Sequence, residues 1–506
     1  MEILKEILRI VTTKSDKAKV FPELVEGDEA ASSLAGRYLI GIASDQYAND
    51  DEAALDLYGT GSSDQRYRTL KSRTYERLMH SVLFLQVKQP EHSEYLSYYY
   101  KCMRNQIAAQ TLMRFASRRA GYAIALKTLT IAQKYQFTDI CVSLAVMLRE
   151  SAAVWNKRTT FLHHHREAVR HMSALKCEYD ADFLLDHLKM EMTVTSRKRS
   201  YLIDLHKDAM VKVETMRKEH NTHGLRLSSF RAAVNYFDFV EDFSGVINEC
   251  DSAIEYLNSV PHLSQRARHG EFMLQKMTAA LYLRRYSEAF TLSDKCIDSF
   301  TVAGNNWYFA SDLAFVAAIN IQDYEKAELL YTRATTHRKY NMLSENTRER
   351  WIIYGAYLLL AEQLGLYAPQ QSRAKTFRLS TYLNSLPEES KSKKVYNVLI
   401  IVSHVFYLMI NGDYDTAEKR IDYLRVYSSR YLKEKHFNRV RIFLRLIQSF
   451  PKHSFIPSEI RKNTKDIYEE LVASSHDPMP SETNELIPFE VMFESLLKTV
   501  EKSTTT

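Results

Sequence analysis

The 506 residues include only 13 glycines, 10 prolines and 5 cysteines. Glycine and proline average about 7% and 5% of soluble chains, so both punctuating residues are scarce here. Tight hairpins depend on them, and their scarcity argues against many short strands joined by turns. The cysteines (Cys102, Cys141, Cys177, Cys250 and Cys296) are odd in number and scattered, with no Cys-x-x-Cys pair. That argues against a disulfide framework or a zinc knuckle and suits a reducing compartment. Long apolar runs are missing too. The longest, from Val398 to Ile410, contains Ser403 and His404 and is shorter than the ~20 residues a membrane span needs, so it reads as a buried helix. No secretory signal is visible, and Met1 to Val11 reads as a short amphipathic helix. The expected location is cytoplasmic, with no membrane partner.

Catalytic signatures are equally sparse. The Leu57-to-Gly61 loop has paired glycines, but no Lys-Ser or Lys-Thr follows, so it is no phosphate loop. No nucleophile elbow, kinase set or dinucleotide fingerprint occurs. The chain is not expected to be an enzyme, and no catalytic residue or cofactor is assigned.

What the chain does carry is a spacing. An aromatic is followed after three residues by a small or apolar one and after seven more by another. It occurs at Tyr122/Ala125/Ala132, Phe243/Val246/Ala253, Tyr286/Ala289/Cys296, Tyr324/Ala327/Ala334 and Tyr414/Ala417/Leu424. On a helix these positions share one face, where small side chains let a neighbouring helix approach closely. Cys296 therefore reads as a small buried hydrophobe. The unit from Trp307 to Arg338 is the clearest: one helix presents Phe315 and Ala318, Asp323-Tyr324 makes a turn, and a second helix presents Ala327, Tyr331 and Ala334. Asn411 to Tyr414 and Gly121-Tyr122 read as further turns of this kind.

These units resemble tetratricopeptide repeats, in which an aromatic closes the inter-helix turn and alanines allow tight packing. The turn aromatics at 243, 286 and 324 are 43 and 38 residues apart, whereas that family's period is about 34. The resemblance implies an all-α fold, a right-handed αα-hairpin solenoid. Three regions are expected: a non-repeat helical N-terminal region (1–95), the solenoid (96–450), and a C-terminal region (451–506) that holds half of all prolines. Met147 to Thr193 shows helices without a convincing unit. The last helix, from Phe489 to Val500, lines up Phe489, Met492, Phe493, Leu496, Leu497 and Val500. It reads as a cap on the array, or as an element tethered by the 475–485 linker that docks on a partner or in the protein's own groove. Residues 502–506 are expected to be disordered.

Two polar clusters stand out. His163, His164, His165, Glu167 and His171 offer metal ligands at helical spacing, but Arg158, Arg166 and Arg170 surround them and the paired-His zinc motif is absent. A solvated basic face is the better reading, and no metal site is assigned. The segment 425–462 holds ten basic residues against two acidic ones, although the whole chain has a net charge of only +6. Its basic patch comprises Arg425, Arg430, Lys433, Lys435, Arg439, Arg441 and Arg445, interleaved with Tyr423, Tyr427, Tyr431, Phe437 and Phe443. Such a patch can receive an acidic protein segment or track a phosphate backbone. Alternatively the aromatics face the core and the charges are solvated. Arg114/Arg118/Arg119 and Arg197–Arg199 are smaller clusters of the same sign. Tyrosine is abundant at 32 residues, which fits helix packing or a binding surface.

The expected function is a protein–protein interaction scaffold or adaptor that holds a peptide or protein partner in the concave groove of the solenoid. Asn235, Lys276, Asp312 and Asn320 are the candidate partner-binding residues on the first helices of the hairpins. The alternative is a nucleic-acid-associated or ligand-sensing regulator that uses the basic segment 425–462.

Overall fold

The computed structural model describes residues 1–14, 33–83, 94–194, 198–368, 382, 394–433, 437–474 and 485–505. Among them the regular elements are all helical, and successive helices pack in adjacent pairs, as a helical-repeat array requires. They divide into two compact units, Met1–Lys176 and Cys177–Thr506.

The first unit begins with α1 (Glu2–Lys14), α2 (Leu34–Ala43), α3 (Asp50–Tyr58) and α4 (Gln65–Leu83). Leu4, Leu8, Tyr38, Ala53, Tyr67 and Leu78 share one small core. Asn49 caps α3 by accepting from the amides of Asp51 and Glu52, and Glu52 reaches back to the Ala48 amide at 2.7 Å. Gly59 ends α3 with φ +66, so the paired-glycine loop is a helix cap. Then follow α5 (Glu94–Arg114), α6 (Arg118–Lys134), α7 (Thr138–Val154) and α8 (Arg158–Met192). The unit boundary lies inside α8. The stretch from Met147 to Thr193, where no repeat unit was legible, is thus the end of α7 and one 35-residue helix.

The second unit continues with α9 (Arg199–Glu219), α10 (His223–Phe239), α11 (Phe243–Ser259), α12 (Arg266–Tyr282), α13 (Tyr286–Asp298), α14 (Asn305–Asn320), α15 (Tyr324–Thr335) and α16 (Glu345–Gln363). After these come α17 (Lys394–Ile410), α18 (Tyr414–Tyr431), α19 (Asn438–Ile447), α20 (Ser449–Lys452), α21 (Pro457–Asn463), α22 (Lys465–Ala473) and α23 (Phe489–Thr505). The helix α23 runs past Val500 to Thr505, so 502–505 are helical rather than disordered; no glycine or proline intervenes to stop it.

The five spaced sets pack as their spacing predicts: every small or apolar member, from Ala125 to Leu424, is at most 1% exposed. One turn recurs in both units. A left-handed residue at Ala116, Gln136, Asn156, Glu241, Arg284, Gln322 or Gly412 ends one helix, and the next helix starts two residues later. The amide of the residue between closes each turn on a carbonyl five residues back, as Asp323 does on Ala318 at 2.9 Å and Asp413 on Leu408 at 2.9 Å. This is the Schellman closure. Asp242, Asp323 and Asp413 then cap the following helix through their side chains. Gly121 is not a turn residue. It lies inside α6, and a Cβ there would meet the Ala109 carbonyl at 2.7 Å, so the pair α5–α6 depends on its bare backbone.

Helix α14 is buried nearly all round, from Trp307 to Asn320. A helix apolar on every side must be surrounded, and α14 sits within a core that runs from Leu227 to Val500. That same core takes in Leu486, Ile487, Met492, Phe493, Leu496 and Leu497, so the proline-punctuated end packs as part of the second unit.

Candidate interaction surface

The four residues expected to line a groove are placed differently from one another. Asn235 is half-buried on α10. Lys276 on α12 is 13% exposed and pairs with Asp251 at 2.7 Å and Glu288 at 3.3 Å. Burial pulls its pKa down, but the two carboxylates outweigh this and the net shift is upward. Asp312 on α14 is buried and accepts from Arg350 and the Tyr354 hydroxyl. Burial pushes its carboxyl above the ordinary range, against the pull of Arg350. Asn320 donates to the main-chain carbonyls of Val316, Glu485 and Leu486 at 2.9, 2.8 and 3.3 Å. Three of the four are therefore engaged by their own chain. Asn320 faces the C-terminal segment rather than an outside partner, and sequence held no sign of a contact 165 residues away.

The basic segment does not form one solvent-facing patch. Arg439 is 7% exposed and forks onto Glu485, with Nε–Oε2 at 2.9 Å and Nη2–Oε1 at 2.8 Å. It also binds Glu490, the Leu471 carbonyl and Ser474 Oγ. Arg284 reaches Glu485 from the α12–α13 turn at 2.9 Å. Burial raises the Glu485 pKa, yet the two guanidiniums prevail and hold it below the usual carboxylate value. Arg441 is half-buried and donates to the Leu432 and Lys433 carbonyls, and Arg445 pairs with Glu470 at 2.8 Å. Arg425 lies 3.3 Å from Asp422, and Arg430 and Lys433 are exposed. Lys435 and the 475–484 part of the linker lie outside the described residues, as does Arg197. Arginines on an apolar stretch pair with acidic residues of later helices, and sequence spacing cannot display those partners.

The histidine cluster is split by its helix. His163 and His165 are exposed, and His164 is buried with Nε2 3.5 Å from the Tyr122 hydroxyl. Glu167 instead joins Gln133, Arg170 and His171. Among the described residues, ligand atoms converge at one other place: those of Cys177, Glu219 and His220 lie within 4.8 Å of one another. Cys102 is pushed up to about 11 by burial, and Cys141, Cys250 and Cys296 to about 12, so these thiols are poor nucleophiles.

The surface feature that sequence reasoning missed is apolar. Among the described residues, 16 of the 30 exposed large hydrophobics fall between Tyr100 and Val211. In the first unit Tyr100, Met103 and Ile107 occupy successive turns along one face of α5, at 41, 39 and 51% exposure, and Phe115 beyond it is 80% exposed. In the second unit Tyr179, Phe183 and Met190 stand out from the last half of α8. The signal was present as helices with apolar residues on two faces. Periodicity alone does not say which face the array covers. No helix among the described residues is long and apolar enough to cross a membrane. No protein-family model, curated protein or solved structure matches the chain.

Proposed function

We propose that this protein is an interaction scaffold: a right-handed, tetratricopeptide-like hairpin array, working in the cytoplasm, that holds a peptide or protein partner against the first helices of its hairpins. The supporting observation is the uncovered apolar face of α5, where Tyr100, Met103 and Ile107 align beside the exposed Phe115. Exposed apolar side chains add little to an array's own stability, and a contiguous set of them marks a contact surface. Steps of three and four residues are what an amphipathic helix or an apolar segment engages. Aromatic anchors at such a surface carry much of the binding energy. The partner class is therefore protein. The nucleic-acid alternative loses its main support, because Arg439, Arg441 and Arg445 are spent on intramolecular contacts.

The reading is tested with the full chain carrying Tyr100→Asp, Ile107→Asp and Phe115→Asp together. Its helical circular dichroism is expected to match the unmodified chain, while proteins that co-purify with the unmodified chain are lost. A folded triple variant that retains every partner would sink the reading.

A further inference from the structure

Helix α8 is apolar on two sides. One face packs within each unit: Ala168 and Ala174 in the first, Ala181, Leu185 and Leu188 in the second. The opposite face is in solvent. Leu162, Val169 and Met172 in the first unit are 43, 53 and 50% exposed, and Tyr179, Phe183 and Met190 in the second are 64, 66 and 66% exposed. With the exposed His165, Lys176 and Asp186, they fall at alternating steps of three and four residues. That is the spacing at which two helices wind around each other, and 35 residues hold more than the roughly three to four heptads a coiled coil requires. Charge divides along the same helix. Arg158 to Lys176 holds four basic residues against one acidic, and Cys177 to Met192 holds five acidic against one basic. A parallel pairing would set like charges together, whereas an antiparallel one sets each basic half on an acidic half.

We propose that α8 is a self-association element: two copies of this chain pair through it as antiparallel helices. The first unit's half of one copy meets the second unit's half of the other, giving a two-fold contact that closes on itself. The register that sets Met172 against the partner's Phe183 also sets Lys176 against the partner's Tyr179. An ammonium over a tyrosine ring is an attractive contact. His165 and Asp186 are polar positions in the seam, and such positions select register and orientation at some loss of stability.

Light scattering and sedimentation equilibrium on the full chain test this across the micromolar range. The expected mass is that of two chains, with pairing weaker at high salt. Val169→Glu and Phe183→Glu alter exposed positions, so each chain stays helical by circular dichroism but becomes a monomer. Arg166→Glu with Arg170→Glu weakens pairing at least about tenfold, as does Asp182→Lys with Asp186→Lys. Mixing these two variants restores pairing, because both ends of the mixed pair then join opposite charges. An unmodified chain that stays monomeric throughout, a dimer that survives Phe183→Glu, or two charge variants that ignore each other would each overturn the proposal.

Discussion

Asn320 and Glu485 are 165 residues apart in sequence, yet the Asn320 side-chain amide donates to the Glu485 main-chain carbonyl at 2.8 Å. The same amide reaches Leu486, so the end of α14 holds the stretch that leads into α23. Asn320→Ala leaves buried carbonyls without a donor, which costs about 1–3 kcal/mol. The expected result is a lower urea midpoint and faster hydrogen exchange from Glu485 to Val500. Unchanged exchange there would show that the anchor lies elsewhere.

Arg439 is the second anchor. With Glu485 only 3% exposed, removing its bidentate partner leaves a buried carboxylate with only Arg284 and the Phe489 amide to compensate it. Arg439→Met is expected to cost about 3–5 kcal/mol. Arg439→Lys should recover little, because an ammonium cannot reproduce the fork. Adding Glu485→Gln to Arg439→Met should restore part of the loss. Thermal unfolding of the three variants checks the order.

Stability should decline in mild acid. Burial pulls His223 down to about 4 and also lowers His164, His171, His206 and His404. Their unfolded value is about 6.5. The folded state therefore binds fewer protons below that pH, so their contribution is complete above about 6.5 and fades as pH falls toward the folded values. His206 is the cleanest test, since neither ring nitrogen has a hydrogen-bond partner among the described residues and its ring stacks on Phe239 at 4.5 Å. His206→Phe should match or exceed the unmodified chain at pH 7.5 and lose less stability at pH 5.5 in denaturant titrations. An equal loss would remove His206 from the account.

Gly121 tests the close approach of α6 to α5. A Cβ at this position would sit 2.6 Å from Met113 Cγ and 2.7 Å from the Ala109 carbonyl. Gly121→Ala is a better helix former but overpacks the contact, for an expected net loss of about 1–3 kcal/mol. A stabilised variant would mean that the two helices separate easily.

The aromatic–small–small spacing and the scarcity of glycine and proline were enough to specify helical hairpins. Helix geometry places residues three, seven and ten along on one face whatever surrounds them. The recurring turn was only partly legible, because most of its left-handed positions hold residues such as Gln136, Asn156 or Gln322 instead of the expected glycine. The tertiary structure alone decided which polar groups remain outside. Arg439 is drawn inward by Glu485, 46 residues on, and Asn320 by a carbonyl still more distant, because a buried charge or amide has to be matched wherever the fold supplies a partner. It also decided which side of α8 is covered: a helix apolar on two faces has the same sequence signal on both, and only packing chooses the one left in water.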